Sequence, residues 1–77
     1  MPVFFFNLRG PGFDVPDLAG REFPDAAAAR AEAERLAAEL AETALASGEI
    51  SEGATVEVDD EEQRPVLALP IGQAVGA

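Results

Sequence analysis

Residues 25–47 read DAAAARAEAERLAAELAETALAS. Alanine, leucine, glutamate and arginine are the strongest helix formers, and no glycine or proline interrupts them. Asp25 stands where a carboxylate accepts the free amide hydrogens of a first turn. Gly48 stands where a chain leaving a helix needs a left-handed residue. The stretch therefore predicts one helix from Asp25 to Ser47. Ala29, Ala33, Leu36, Ala37, Leu40 and Ala44 recur at the spacing of a single buried stripe. Glu32, Arg35, Glu39 and Glu42 fall on another face, where Arg35 can pair with Glu32 or Glu39. A stripe made mostly of alanine lets the helix axis lie close to whatever it covers.

The flanks supply that surface. Val3 to Leu8 is β-rich, with Phe4, Phe6 and Leu8 on one face and Val3, Phe5 and Asn7 on the other. Gly10-Pro11-Gly12 ends it with a turn. Phe13, Val15, Leu18 and Phe23 suit a short second strand with an irregular return, which Pro16 confines to an edge or an end. After a loop at 48–53, Ala54, Val56 and Val58 alternate with Thr55, Glu57 and Asp59, as in a half-buried strand. Asp59 to Arg64 is a polar connection. Pro65 opens an apolar run from Val66 to Ile71, so the two strands form a hairpin. Gly72 to Ala77 reads as weak structure or one helical turn. The order is strand, short strand, helix, strand, strand. This predicts an α+β fold: a small antiparallel sheet with one alanine-rich helix on one face, in a single domain spanning 1–77.

Composition narrows the function. The chain has 77 residues, 48% of them hydrophobic, and a formal net charge of −10. The five cations are all arginine. No basic stripe exists to neutralise phosphates, so nucleic acid is not an expected partner. An anionic membrane surface would repel the chain. The run Met1-Pro2-Val3-Phe4-Phe5-Phe6 has no cationic residue before it and is too short for a signal peptide or a membrane span. The absence of cysteine excludes disulfides and thiolate chemistry and fits a cytoplasmic setting.

Catalysis lacks its usual side chains. There is no His, Cys, Lys or Tyr, so acid–base work would fall to carboxylates alone and Ser or Thr nucleophiles would have no imidazole base. The expectation is a non-enzymatic protein with no cofactor and no catalytic or metal site. Asp59-Asp60-Glu61-Glu62 is the one acidic run, yet adjacent acids in an extended segment point apart and cannot all converge on a hard cation. It reads as a solvated hairpin loop. In Asp17-x-x-Gly20-x-Glu22, Asp17 supports a turn and Gly20 takes a positive φ.

One helix covers only one face of a sheet. Phe4, Phe6, Leu8, Val56, Val58, Leu67, Leu69 and Ile71 can point to it. Val3, Phe5, Val66 and Ala68 then face the other way. If the first and last strands are neighbours, these four form an apolar patch rimmed by Thr55, Glu57, Asn7 and Arg9, the kind of patch that marks an interface. The leading expectation is a self-associating interaction domain, a homodimer through Val3, Phe5, Val66 and Ala68. A second is an acidic accessory or antitoxin-like module presenting Glu57, Asp59, Asp60, Glu61 and Glu62 to a basic protein partner. A third is a domain that binds a small ligand or a hard cation.

The opening Met1-Pro2-Val3-Phe4-Phe5-Phe6-Asn7, the segment Asp17-Leu18-Ala19-Gly20-Arg21-Glu22-Phe23-Pro24-Asp25 and the helix start Ala28-Ala29-Arg30-Ala31-Glu32-Ala33 carry a family resemblance. So does the end, Val56 to Glu61 with Leu67 to Ile71. Together they resemble a family of short bacterial domains of unknown function, common in alphaproteobacteria, that begin Met-Pro-x-Tyr-Phe-Phe-His. Asn7 stands where that family carries His. The resemblance implies the fold and no activity. More loosely, the strand pair followed by a Pro-Asp helix is similar to HicB-type antitoxin domains.

Overall fold

The computed structural model describes residues 1–50 and 52–71, so the predicted behaviour of Gly72 to Ala77 lies outside the described residues. Strand β1 (Val3–Gly10) turns through Pro11-Gly12 into β2 (Phe13–Val15), and β3 (Arg21–Glu22) follows. Helix α1 (Ala26–Leu40) continues as one π-helical turn, Ala41–Leu45, before β4 (Thr55–Asp59) and β5 (Pro65–Pro70). The strands form one antiparallel sheet in the order β2-β1-β4-β5, with β3 also paired to β1. The fold is α+β, as the patterning predicts. The extra element is β3, where the sequence suggested only an irregular return.

β2 and β3 share the outer edge of β1. Leu8 pairs with Val15 and Phe4 with Arg21, so the five residues 16–20 stand opposite the three residues 5–7. The edge strand bulges, as Pro16 and Gly20 allow. The bulge folds against the helix-free face. A Cβ on Gly20 would lie 2.6 Å from Val3 Cγ1 and 2.9 Å from Phe5 Cε2, and Gly20 has φ +75°. Glycine is required there for both reasons.

The faces divide as the alternation predicts. Phe6 lies opposite Val58, Leu8 opposite Val56, Val56 opposite Leu69 and Val58 opposite Leu67, all on the helix side. Ala29, Ala33 and Ala37 are fully buried against this side, as are Val56 and Val58. α1 packs over β4 and β5. Phe23 covers the β1 end instead, with ring centroids 6.2 Å from Phe4 and 5.6 Å from Phe6.

Asp25 caps the helix by accepting the Ala28 amide (2.9 Å). Beyond Leu40 the buried stripe shifts. The π turn holds more residues than an α turn, so Ala41 and Leu45 pack on the core where an unbroken period would bring Ala44. Gly48, with φ +84°, ends the helix by donating to the Leu45 carbonyl.

Arg21 ties β3 to the helix. Its guanidinium lies 5.2 Å from the Phe23 centroid and bonds Glu32 at 2.7 Å. Arg35 bonds Glu32 (2.8 Å) and Glu39 (2.6 Å) together, where the sequence offered either. Arg35 first and Arg21 second hold the Glu32 carboxyl down at about 2, from an ordinary 4.5.

Two predictions follow from this packing. Gly20→Ala should lower the melting temperature by more than Gly48→Ala, since both have positive φ but only Gly20 has neighbours within 4 Å. The second concerns pH. A folded-state pKa below the unfolded one gives stability that is complete above about 4.5 and is lost as the pH falls towards about 2. Thermal melts of Glu32→Gln through that window should show a shallower loss than those of the unaltered chain.

Candidate functional site

The helix-free face is built from alternate residues of β1 and β4. Phe5 lies opposite Asp59, Asn7 opposite Glu57 and Arg9 opposite Thr55. The bulge at residues 16–18 and Gln63 of the β4–β5 loop rise beside them. Together they enclose a cleft of about 360 Å³, lined by Phe5, Asn7, Arg9, Pro16, Asp17, Leu18, Asp59 and Gln63. This lies at the small end of ligand-sized clefts.

Its floor is a hydrogen-bonded network. Asn7 is a buried polar residue, 5% exposed. Its Nδ2 donates to Asp59 Oδ2 (3.0 Å), and its Oδ1 accepts the Asp17 amide (2.9 Å). Asp17 Oδ2 accepts the Phe6 amide (3.1 Å), while Oδ1 accepts those of Ala19 and Gly20, each at 3.1 Å. The bulge explains the first of these bonds. Phe6 sits between the segments paired to β2 and β3, so its outward N–H has no strand carbonyl to meet. The Asp17 carboxylate takes that place. Burial opposes ionisation of Asp17, but the amides of Gly20, Phe6 and Ala19, helped by Arg21, outweigh it and hold the carboxyl below its ordinary value.

The acidic run disperses. Asp59 serves Asn7. Asp60 Oδ1 accepts the amides of Glu62 and Arg64 (2.9 Å each), and these bonds, Arg64 first, lower its pKa. Glu61 accepts the Val3 amide (3.1 Å), and Glu62 pairs with Arg64. Each carboxylate is engaged within the chain, Asp60 and Glu62 both by Arg64, and among the described residues no three His, Cys, Asp or Glu side chains are grouped to hold a metal ion. Arg9 bridges Asp14 (3.3 Å) and Glu57 (3.4 Å) with half its side chain in solvent, so the pairs contribute little to stability.

The predicted apolar patch is not continuous. β4 stands between β1 and β5, so Glu57 and Asp59 separate Val3 and Phe5 from Val66 and Ala68. The sequence leaves strand order open, and the patch depended on it. Val3 and Phe5 are half-buried against the Gly20 bulge, and Phe5 belongs to the cleft. Asn7 is a buried hub and no rim residue. Val66 and Ala68 are exposed on β5, at the end of the sheet. The sequence did not reveal the Asn7–Asp17 link. Its one signal is a lone amide in an apolar strand, which must find a partner when buried.

A family model described as a domain of unknown function (DUF6894) matches residues 3–72. Comparison with curated proteins and comparison with solved structures each returned no match.

Asp17→Ala should destabilise the fold by about 2 kcal/mol, because it leaves the part-buried Phe6 amide without an acceptor and unties the bulge. Urea denaturation measures the loss. Amide exchange should quicken at Phe6, Ala19 and Gly20 together.

Proposed function

We propose that this chain, which belongs to the DUF6894 family of domains of unknown function, is a non-enzymatic interaction module that associates with a second copy of itself. The observation that carries this is the exposed, uncharged strand β5 at the end of the sheet, in a chain of net charge −10. Proteins commonly guard such edges with lysine, an inward charge, a proline or a bulge. Here Pro65, Pro70 and a register shift beside Val66 bracket the strand, and no charge lies on the stretch between the prolines. The non-enzymatic part rests on the cleft. Asn7 uses both ends of its amide and Asp17 both oxygens in holding the fold. No imidazole, thiol or amine side chain is available to act beside them.

A second reading is an acidic accessory module, antitoxin-like in offering carboxylates to a basic protein. The cleft favours it, because Asp59, which gives only one oxygen to Asn7, lines it together with the Phe5 ring, a setting that suits a lysine or arginine side chain. Glu57, Asp60, Glu61 and Glu62 extend the same negative surface.

Light scattering across a concentration series separates the two. Self-association through β5 should give a dimer that persists in high salt, because the contact is apolar and backbone-mediated. A strict monomer would sink the leading reading. A monomer that binds a basic protein, with affinity falling steeply as salt rises, would establish the second.

A further inference from the structure

The register between β1 and β4 sets an aromatic ring beside a carboxylate. Phe5 lies directly opposite Asp59, so the two are cross-strand neighbours with Cβ atoms about 5 Å apart. Both line the cleft on the helix-free face, and both are half-buried. Asp59 Oδ2 accepts from Asn7, and among the described residues Oδ1 accepts nothing. Solvent reaches that oxygen, since among the described residues no buried side-chain oxygen lacks a partner. Gln63 stands at the rim with its side chain exposed and its backbone N–H bonded to Asp60.

The other face of the sheet shows what such a pair accepts. There Arg21 lies 5.2 Å from the Phe23 centroid and bonds Glu32 at 2.7 Å, so one guanidinium serves a ring and a carboxylate together. The cleft holds the ring and the carboxylate without that cation. Arg9 lines it but is paired with Asp14 and Glu57. Each of the five arginines is paired with a carboxylate other than Asp59. Among the described residues no cation lies over Phe5.

Resting on the reading of the chain as an acidic module for a basic protein, we infer that the cleft takes one arginine side chain of that partner. Its guanidinium lies over the Phe5 ring and donates to Asp59 Oδ1, with the Gln63 side-chain carbonyl as a second acceptor at the rim. A planar cation can lie flat on a ring while the N–H groups at its edge reach a carboxylate, which a lysine ammonium cannot do. Asn7 positions the site, because it bonds Asp59 Oδ2 and holds the Asp17 amide of the bulge that walls the cleft. Charge complementarity supports a cationic occupant. The chain has net charge −10 with its arginines already paired, so its field draws in a partner's cation. Free arginine would bring an α-carboxylate that the same field repels, whereas an arginine within a protein brings none. At about 360 Å³ the cleft admits a side chain and not a strand or helix.

Titration of the isotope-labelled chain with a capped Gly-Arg-Gly peptide, followed by NMR, tests the site. Saturable shifts should centre on Phe5, Asn7, Asp59 and Gln63. The same peptide with citrulline keeps the shape and loses the charge, and should bind about tenfold more weakly or worse. That comparison uses the unaltered chain and stands whatever the variants do. Asp59→Asn keeps an acceptor for Asn7 and removes the charge, so it should weaken binding of the arginine peptide by about tenfold. Phe5→Leu keeps apolar bulk beside Gly20 and removes the ring, at a loss of about threefold. Equal affinity for the two peptides, or shifts with oligoarginine confined to Asp60, Glu61 and Glu62, would overturn the arginine site and leave the acidic module standing. A chain that shifts with neither the arginine peptide nor oligoarginine would overturn both.

Discussion

The close approach of three alanines to two valines governs the rest of the molecule. Ala29, Ala33 and Ala37 present only methyl groups, so α1 settles directly onto Val56 and Val58, and all five side chains lose contact with solvent. A chain of 77 residues has little apolar area to bury, and this seam uses it over a short span. The consequence is geometrical. A helix seated over β4 and β5 leaves the β1 end of the same face to other groups. Phe23 covers Phe4 and Phe6 there, and Arg21 lies over Phe23 and reaches Glu32. The aromatic cluster is thus anchored to the helix by an ion pair at its margin.

The opposite face is organised by polar bonds. The bulge between β2 and β3 would leave the Phe6 amide without a strand partner, and Asp17 supplies the acceptor. Asn7 then joins Asp17 to Asp59, so that β1, the bulge and β4 are linked by side chains as well as by the ladder. The cleft on this face is therefore shaped by groups that already satisfy one another. Phe5 and the outer rim remain for any visiting molecule, while the floor is committed to the fold.

Much of this architecture was legible in the sequence because it rests on local rules. The spacing of Ala29, Ala33 and Ala37 gives the buried stripe, Asp25 the cap, and the alternation through Val56 and Val58 the inward face. Asp17 and Gly20 carry the turn assigned to them. Strand order follows no local rule. It depends on which pairing buries the most surface, and the chain places β4 between β1 and β5. That one fact divides Val3 and Phe5 from Val66 and Ala68. The shift from Ala44 to Ala41 and Leu45 was equally hidden, because a π turn leaves the helix-forming composition unchanged. The roles of Asn7 and Asp17 in the cleft required knowing that a loop returns over the strand.

The place of β1 in the sheet bears on how the molecule is made. Its outer edge is matched by residues that follow within about twenty positions, whereas its inner edge waits for Thr55 to Asp59. During synthesis the strand that carries three consecutive phenylalanines emerges ahead of the other strands and is completed only when β4 follows. For most of that interval its inner edge is open beside a strongly apolar segment, the form most prone to join another nascent chain. The local hairpin with β2 and β3 shields one side of it early. The closing step brings together segments some fifty residues apart, which makes the central pairing the slow one.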